Sequence, residues 1–93
     1  MKLSQYEKII LTMYEFKEKK KWYAKDFQHG KYFVGYEATA RMSELIWKYP
    51  GMFIVGMDGR FRTLEFNWKE KEKIEEIVKI IYAKIGGQDE DKR

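Results

Sequence analysis

The chain's only proline, Pro50, sits between Tyr49 and Gly51, where the hydrophobic period changes. Before it, residues 36–48 (YEATARMSELIWK) place apolar side chains at three- and four-residue steps, the period of an amphipathic helix. Proline has no N–H to donate and its ring clashes with the preceding turn, so the helix stops there. After it, residues 52–66 (MFIVGMDGRFRTLEF) read as a β-hairpin around Asp58-Gly59. A type I′ turn needs positive φ at both central residues, which Asp-Gly tolerates. That turn predicts Met57 opposite Arg60, Val55 opposite Arg62 and Phe53 opposite Leu64, with Arg60 and Arg62 on one face near the tip. A longer turn from Gly56 to Gly59 is the alternative and shifts the register by one residue.

The helix over 36–48 has two distinct faces at 100° per residue. Ala38, Met42, Leu45 and Tyr49 share the inward one, with Ile46 on its edge. Ala40, Ser43, Glu44 and Trp47 lie opposite, and Glu37, Thr39, Arg41 and Lys48 occupy the flanks. The charges cancel, Glu37 and Glu44 against Arg41 and Lys48. Arg41 stands three and four residues from the two glutamates, so an intrahelical ion pair is one reading of it.

Upstream, residues 3–19 predict a first amphipathic helix. Ser4 with Glu7 three residues on has capping-box spacing. Tyr6, Ile9, Ile10, Met13 and Phe16 form its buried stripe, and Lys17, Lys19, Lys20 and Lys21 complement the helix dipole at its end. Trp22 and Tyr23 suggest a short extended piece, residues 24–28 (AKDFQ) a brief helix carrying Phe27 inward, and KYFVG a linker or short strand. Downstream, residues 68–85 predict a last helix capped by Asn67, with Ile74, Ile77, Val78, Ile81 and Ile85 as its stripe and Ile80 and Tyr82 widening it. Gly86-Gly87 is expected to end it and residues 86–93 to form a flexible tail. The stripe has two uses open to it: covering the first helix, or pairing with a second copy of the chain.

Composition narrows the functional classes. Ninety-three residues suffice for one domain. The absence of cysteine excludes disulfides, thiolate metal sites and cysteine nucleophiles, and a single histidine, His29, cannot furnish a His-based metal site. The glutamates at 70, 72, 75 and 76 alternate with lysines as a solvated helical face does, not as a catalytic pair. The glycines at 51, 56 and 59 belong to the hairpin and make no phosphate loop. No catalytic residue, metal, cofactor or small-molecule ligand is therefore expected. No apolar run approaches membrane-spanning length and the charged start is unlike a signal peptide, so no membrane partner and a cytoplasmic location are expected. The net charge of +4 is compatible with an acidic partner.

Helix, short strand, short helix, helix, hairpin and helix, in that order, resemble the winged helix-turn-helix family, an α+β fold of mostly helical content with a three-helix core and a β-hairpin wing. The resemblance is densest over residues 22–66. WYAKDF is similar to its short strand and second helix, VGYEATARMSELIWKYP to its third helix, and MFIVGMDGRFRTLEF to its wing. It implies a winged domain over residues 1–67 and an extra C-terminal helix over 68–85 that packs on the domain or forms a dimer interface through Ile74, Ile77, Val78, Ile81 and Ile85. It also implies a small DNA-binding protein, a transcriptional regulator of prokaryotic or viral origin, with the third helix in the major groove of duplex DNA and the wing on the backbone or minor groove. By position Tyr36, Thr39, Ala40, Ser43 and Glu44 would face base edges, while Arg41, Lys48, Lys25, Lys31, Arg60 and Arg62 would meet phosphates. The competing expectation is a winged-helix protein-interaction module, or a subunit of a replication or packaging complex, with Trp47 and the uncharged helix face as the partner surface.

Overall fold

Ser4 opens the first helix as its spacing predicts. Its hydroxyl accepts from the Glu7 N–H at 3.2 Å, and the Glu7 carboxylate accepts from the Ser4 N–H at 2.9 Å. In this computed structural model, which describes residues 3–28, 32, 34, 35 and 37–90 (86–90 by backbone alone), α1 spans Gln5–Glu15. It is followed by β1 (Trp22–Tyr23), a 3₁₀ turn (Ala24–Phe27), α2 (Ala38–Lys48), β2 (Phe53–Asp58), β3 (Phe61–Phe66), a second 3₁₀ turn (Trp68–Glu70) and α3 (Lys71–Glu90). The class is α+β: the described residues form three α-helices and a three-stranded antiparallel sheet of order β1-β3-β2.

α1 ends four residues before the predicted boundary. Phe16 leaves the helical region at φ −115° and is 58% exposed, not buried in the stripe. The lysine-rich segment beyond it offers no apolar side chain to hold another turn. The chain must also swing round so that Trp22 can enter the core, where its indole N–H donates to the Lys19 carbonyl at 3.0 Å. Trp22 stacks on Phe27 at 5.5 Å between ring centroids, which seats the 3₁₀ turn.

The hairpin register differs from the predicted one. Phe53 faces Phe66, Val55 faces Leu64, Met57 faces Arg62 and Asp58 faces Phe61. The two-residue loop is Gly59-Arg60, with Gly59 alone at positive φ (+63°), as a type II′ turn requires. Asp58 is the last strand residue rather than a turn residue, and Arg60 leaves the ladder. The register moves by two, so every side chain keeps its predicted face while its partner changes. The apolar side chains account for the choice. Phe53 and Phe66 stack at 5.3 Å, and Val55 meets Leu64, where the predicted pairing sets Val55 against an arginine. Gly56 lies opposite Thr63, whose hydroxyl would stand 3.1 Å from a Cβ at position 56.

β1 pairs with β3 through Trp22–Leu64 and Tyr23–Thr63, tying the segment before the helix pair to the hairpin. Ile9, Ile10, Leu11, Met13, Phe27, Ala38, Met42, Leu45, Leu64 and Ile74 are all within 1% of full burial. Asn67 caps the second 3₁₀ turn by accepting from the Lys69 N–H, and its amide donates to the Gly51 carbonyl. α3 continues through Gly86-Gly87 to Glu90, past the predicted stop.

Within the single chain α3 packs on the domain core. Ile74, Val78 and Ile81 are at most 3% exposed within the single chain, and Ile77 and Ile85 pack half-buried against the same core. Those three side chains are thus spent internally and form no free face for a partner. Two polar links fasten α3 to α1. Lys84 pairs with Glu7, and the Tyr82 hydroxyl donates to the Glu15 carboxylate at 2.7 Å. Burial alone would raise the Glu7 carboxyl, but Lys84 and the Ser4 N–H outweigh it and hold it below its ordinary 4.5.

Candidate functional site

α2 turns three different sides to its surroundings. Ala38, Met42 and Leu45 go into the core, as predicted. Arg41, Glu44 and Lys48 lie along α1: the Tyr6 hydroxyl donates to Glu44 at 2.5 Å, Arg41 donates to the same hydroxyl at 3.2 Å and pairs with Glu44 at 2.8 Å, and the Lys48 ammonium sits 5.2 Å from the Tyr6 ring centre. Glu44 and Tyr6 help hold the Arg41 guanidinium above its ordinary value, with the Tyr6 hydrogen bond leading. The third side, Thr39, Ala40 and Ser43, faces the hairpin.

A cleft of about 1050 Å³ opens along that third side. Thr39, Ala40 and Ser43 form one wall; Tyr23, Ala24, Lys25 and Gln28 from β1 and the 3₁₀ turn form a second; Met57, Asp58, Arg60, Phe61 and Arg62 of the hairpin tip form the third. Three of these residues are cationic (Lys25, Arg60, Arg62) and one is anionic (Asp58), so the lining carries 3 − 1 = +2. The carboxylate is engaged: it accepts from the Tyr23 hydroxyl at 2.5 Å, a bond that raises the Tyr23 phenol above its ordinary value. Arg62 donates to the Ser43 hydroxyl, a neutral partner that leaves the guanidinium charge uncompensated and braces the hairpin against α2. The Lys25 ammonium lies 5.7 Å from the Tyr23 ring centre.

Six of the residues singled out from sequence therefore line one cleft: Lys25, Thr39, Ala40, Ser43, Arg60 and Arg62. Glu44 is not among the lining residues: its carboxylate, with the side chain 47% exposed, is bonded to Tyr6 and Arg41, and Arg41 and Lys48 sit on that same side. Lys31 and Tyr36 fall outside the described residues, as does His29. Trp47 is 84% exposed and lies outside the cleft lining. Sequence reasoning missed Tyr23, Ala24, Gln28, Met57, Asp58 and Phe61. Tyr23 and Asp58 were beyond reach because their bond joins residues 35 apart, whereas Phe61 stood in plain view between two arginines.

Among the described residues no group of three or more His, Asp or Glu side chains converges as a metal site would, and no helix is long and apolar enough to cross a membrane. No family model, curated protein or solved structure matches the chain.

Proposed function

We propose that this chain is a small winged-helix protein that binds duplex DNA, a transcriptional regulator of prokaryotic or viral type, with α2 presented to the major groove and the hairpin to the adjacent backbone or minor groove. The observation that carries the reading is the cleft: three cations and one carboxylate, a net charge of +2, surround the small, polar side of an exposed helix. Small side chains such as Ala40 let a helix approach base edges, and the hydroxyls of Thr39 and Ser43 can bond bases or phosphates.

One observation favours a second reading. Trp47 is 84% exposed, and an aromatic of that size without a partner is a common anchor of protein interfaces. A protein-interaction module, or a subunit of a replication or packaging complex, would use it with Ile46, itself 36% exposed. A homodimer through α3 would have to use the outer side, where Ile80 is 51% and Tyr82 37% exposed.

The test is a fluorescence-anisotropy titration of the pure protein with random-sequence duplex DNA at about 50 and about 200 mM salt. Saturable binding at the lower salt that weakens at the higher is the expected result. Absence of binding at the lower salt would refute the DNA reading and leave the Trp47 surface as the better candidate.

A further inference from the structure

Phe61 is the first strand residue after the Gly59-Arg60 turn, and its ring is 68% exposed. It is not among the side chains packed on the core, and among the described residues it stacks on no other ring. An exposed phenylalanine is unremarkable alone. Three features set this one apart. It stands between Arg60 and Arg62 in sequence, and although strand alternation turns Phe61 and Arg62 to opposite faces, all three residues line the same cleft. The rung that carries it, Asp58 opposite Phe61, is fixed at its other end by the Tyr23–Asp58 bond, while Arg62 one residue on is tied to Ser43 of α2. A hairpin tip ordinarily retains much freedom, but these two bonds hold this one from both sides. A fixed apolar group loses little further entropy when it inserts.

Resting on the duplex-DNA reading above, we propose that Phe61 is a wedge that enters a base-pair step and bends the duplex, with Arg60 and Arg62 holding the phosphates beside it. Apolar side chains that part a base step kink DNA, and the cost is lowest at pyrimidine–purine steps, which unstack most easily. The chemistry at the tip favours DNA over a lipid surface. A single ring between two arginines, beside the polar wall of Thr39 and Ser43, offers too narrow an apolar face to lie in a bilayer, while it matches one base step beneath a polyanionic backbone. The wedge also gives the protein a means of preferring sequences by deformability, without a hydrogen bond to any base edge.

The experiment uses a duplex of about 30 base pairs, end-labelled with a donor and an acceptor dye, with 2-aminopurine in a central TpA step. Anisotropy reports binding separately from bending and unstacking. The wild-type chain should raise both energy transfer and 2-aminopurine emission, whereas Phe61→Ala should still bind, within about tenfold of wild-type affinity, and lose most of both signals. Phe61→Leu should restore part of them, because an apolar wedge need not be aromatic. Wild-type binding without bending or unstacking, or full signals from Phe61→Ala, would overturn the wedge while leaving DNA binding intact. Absence of binding would refute the underlying reading and the wedge with it. An unbent duplex together with Phe61-dependent association with phosphatidylserine vesicles would overturn the wedge and assign the ring to a lipid surface.

Discussion

Replacing Arg60 and Arg62 together by alanine should change the salt dependence of DNA binding by a predictable amount. Three cations line the cleft, and each phosphate neutralised contributes about −0.9 to the slope of log affinity against log salt on B-form DNA. If Lys25, Arg60 and Arg62 each meet one phosphate, the wild-type slope is about −2.7, and a fourfold rise in salt weakens binding about 40-fold. The double variant retains Lys25 alone, with a slope of about −0.9 and a loss of about 3.5-fold over the same interval. The ratio of the two affinities should therefore shrink about twelvefold between about 50 and 200 mM salt. Both arginines are exposed, so circular dichroism and thermal melting should show the fold intact. Lys48→Ala is the control: its ammonium lies over Tyr6 on the far side of α2, and the slope should stay at the wild-type value. Anisotropy titrations at four or five salt concentrations give the slopes. A double variant with an unchanged slope, or a Lys48 variant that flattens as much, would refute the assignment of phosphates to this cleft.

The paired Glu7 predicts acid sensitivity. Its pKa is lowered in the folded chain, so its contribution is present above the ordinary carboxylate value of 4.5 and is lost as pH falls through the depressed folded value. Urea midpoints measured from pH 7 to pH 3 should fall less steeply in Glu7→Gln than in wild type; parallel curves would show that the Lys84 pair has no such role. Leu45 of α2 is fully buried in the core, so Leu45→Ala should cost about 2–5 kcal/mol in urea unfolding, and a loss below about 1 kcal/mol would contradict the described core. Trp47→Ala should leave both stability and DNA affinity near wild type because the ring is 84% exposed and outside the cleft; a tenfold loss of DNA affinity would move the interface along α2.

The elements that sequence made legible are those whose partners are near in the chain or whose faces follow a single period. Ser4 and Glu7 announce the start of α1 three residues apart, and Ala38, Met42 and Leu45 mark the inward side of α2 by spacing alone. The hairpin shows where this stops. Alternation assigned each side chain to its correct face, but Asp-Gly was the wrong guide to the turn. Stacking of Phe53 on Phe66 and capture of Asp58 by Tyr23 favour a register in which Gly59-Arg60 make the loop. Tyr23 precedes Asp58 by 35 residues, so no local pattern encodes that contact. The bond of Glu44 is hidden for a similar reason: helical spacing gives its side of α2, but its partner Tyr6 on α1 lies 38 residues earlier. The end of α3 was misplaced because Gly86-Gly87 were read as a stop, whereas the helix carries on to Glu90. The cleft itself was half legible. Its cations and small residues were apparent in sequence, but their convergence depends on β1 joining the sheet at β3, which sets the 3₁₀ turn opposite the hairpin tip.

In the proposed DNA complex, the side of α2 bearing Thr39, Ala40 and Ser43 and the hairpin tip form the interface. Its most direct test is to follow backbone amide resonances of isotope-labelled protein during titration with duplex DNA. Shifts should concentrate at Lys25, Thr39, Ala40, Ser43 and residues 59–62, while Tyr6, Leu11 and Ile74 hold still. Shifts centred on Trp47 and the outer side of α3, with the cleft resonances unmoved, would contradict it.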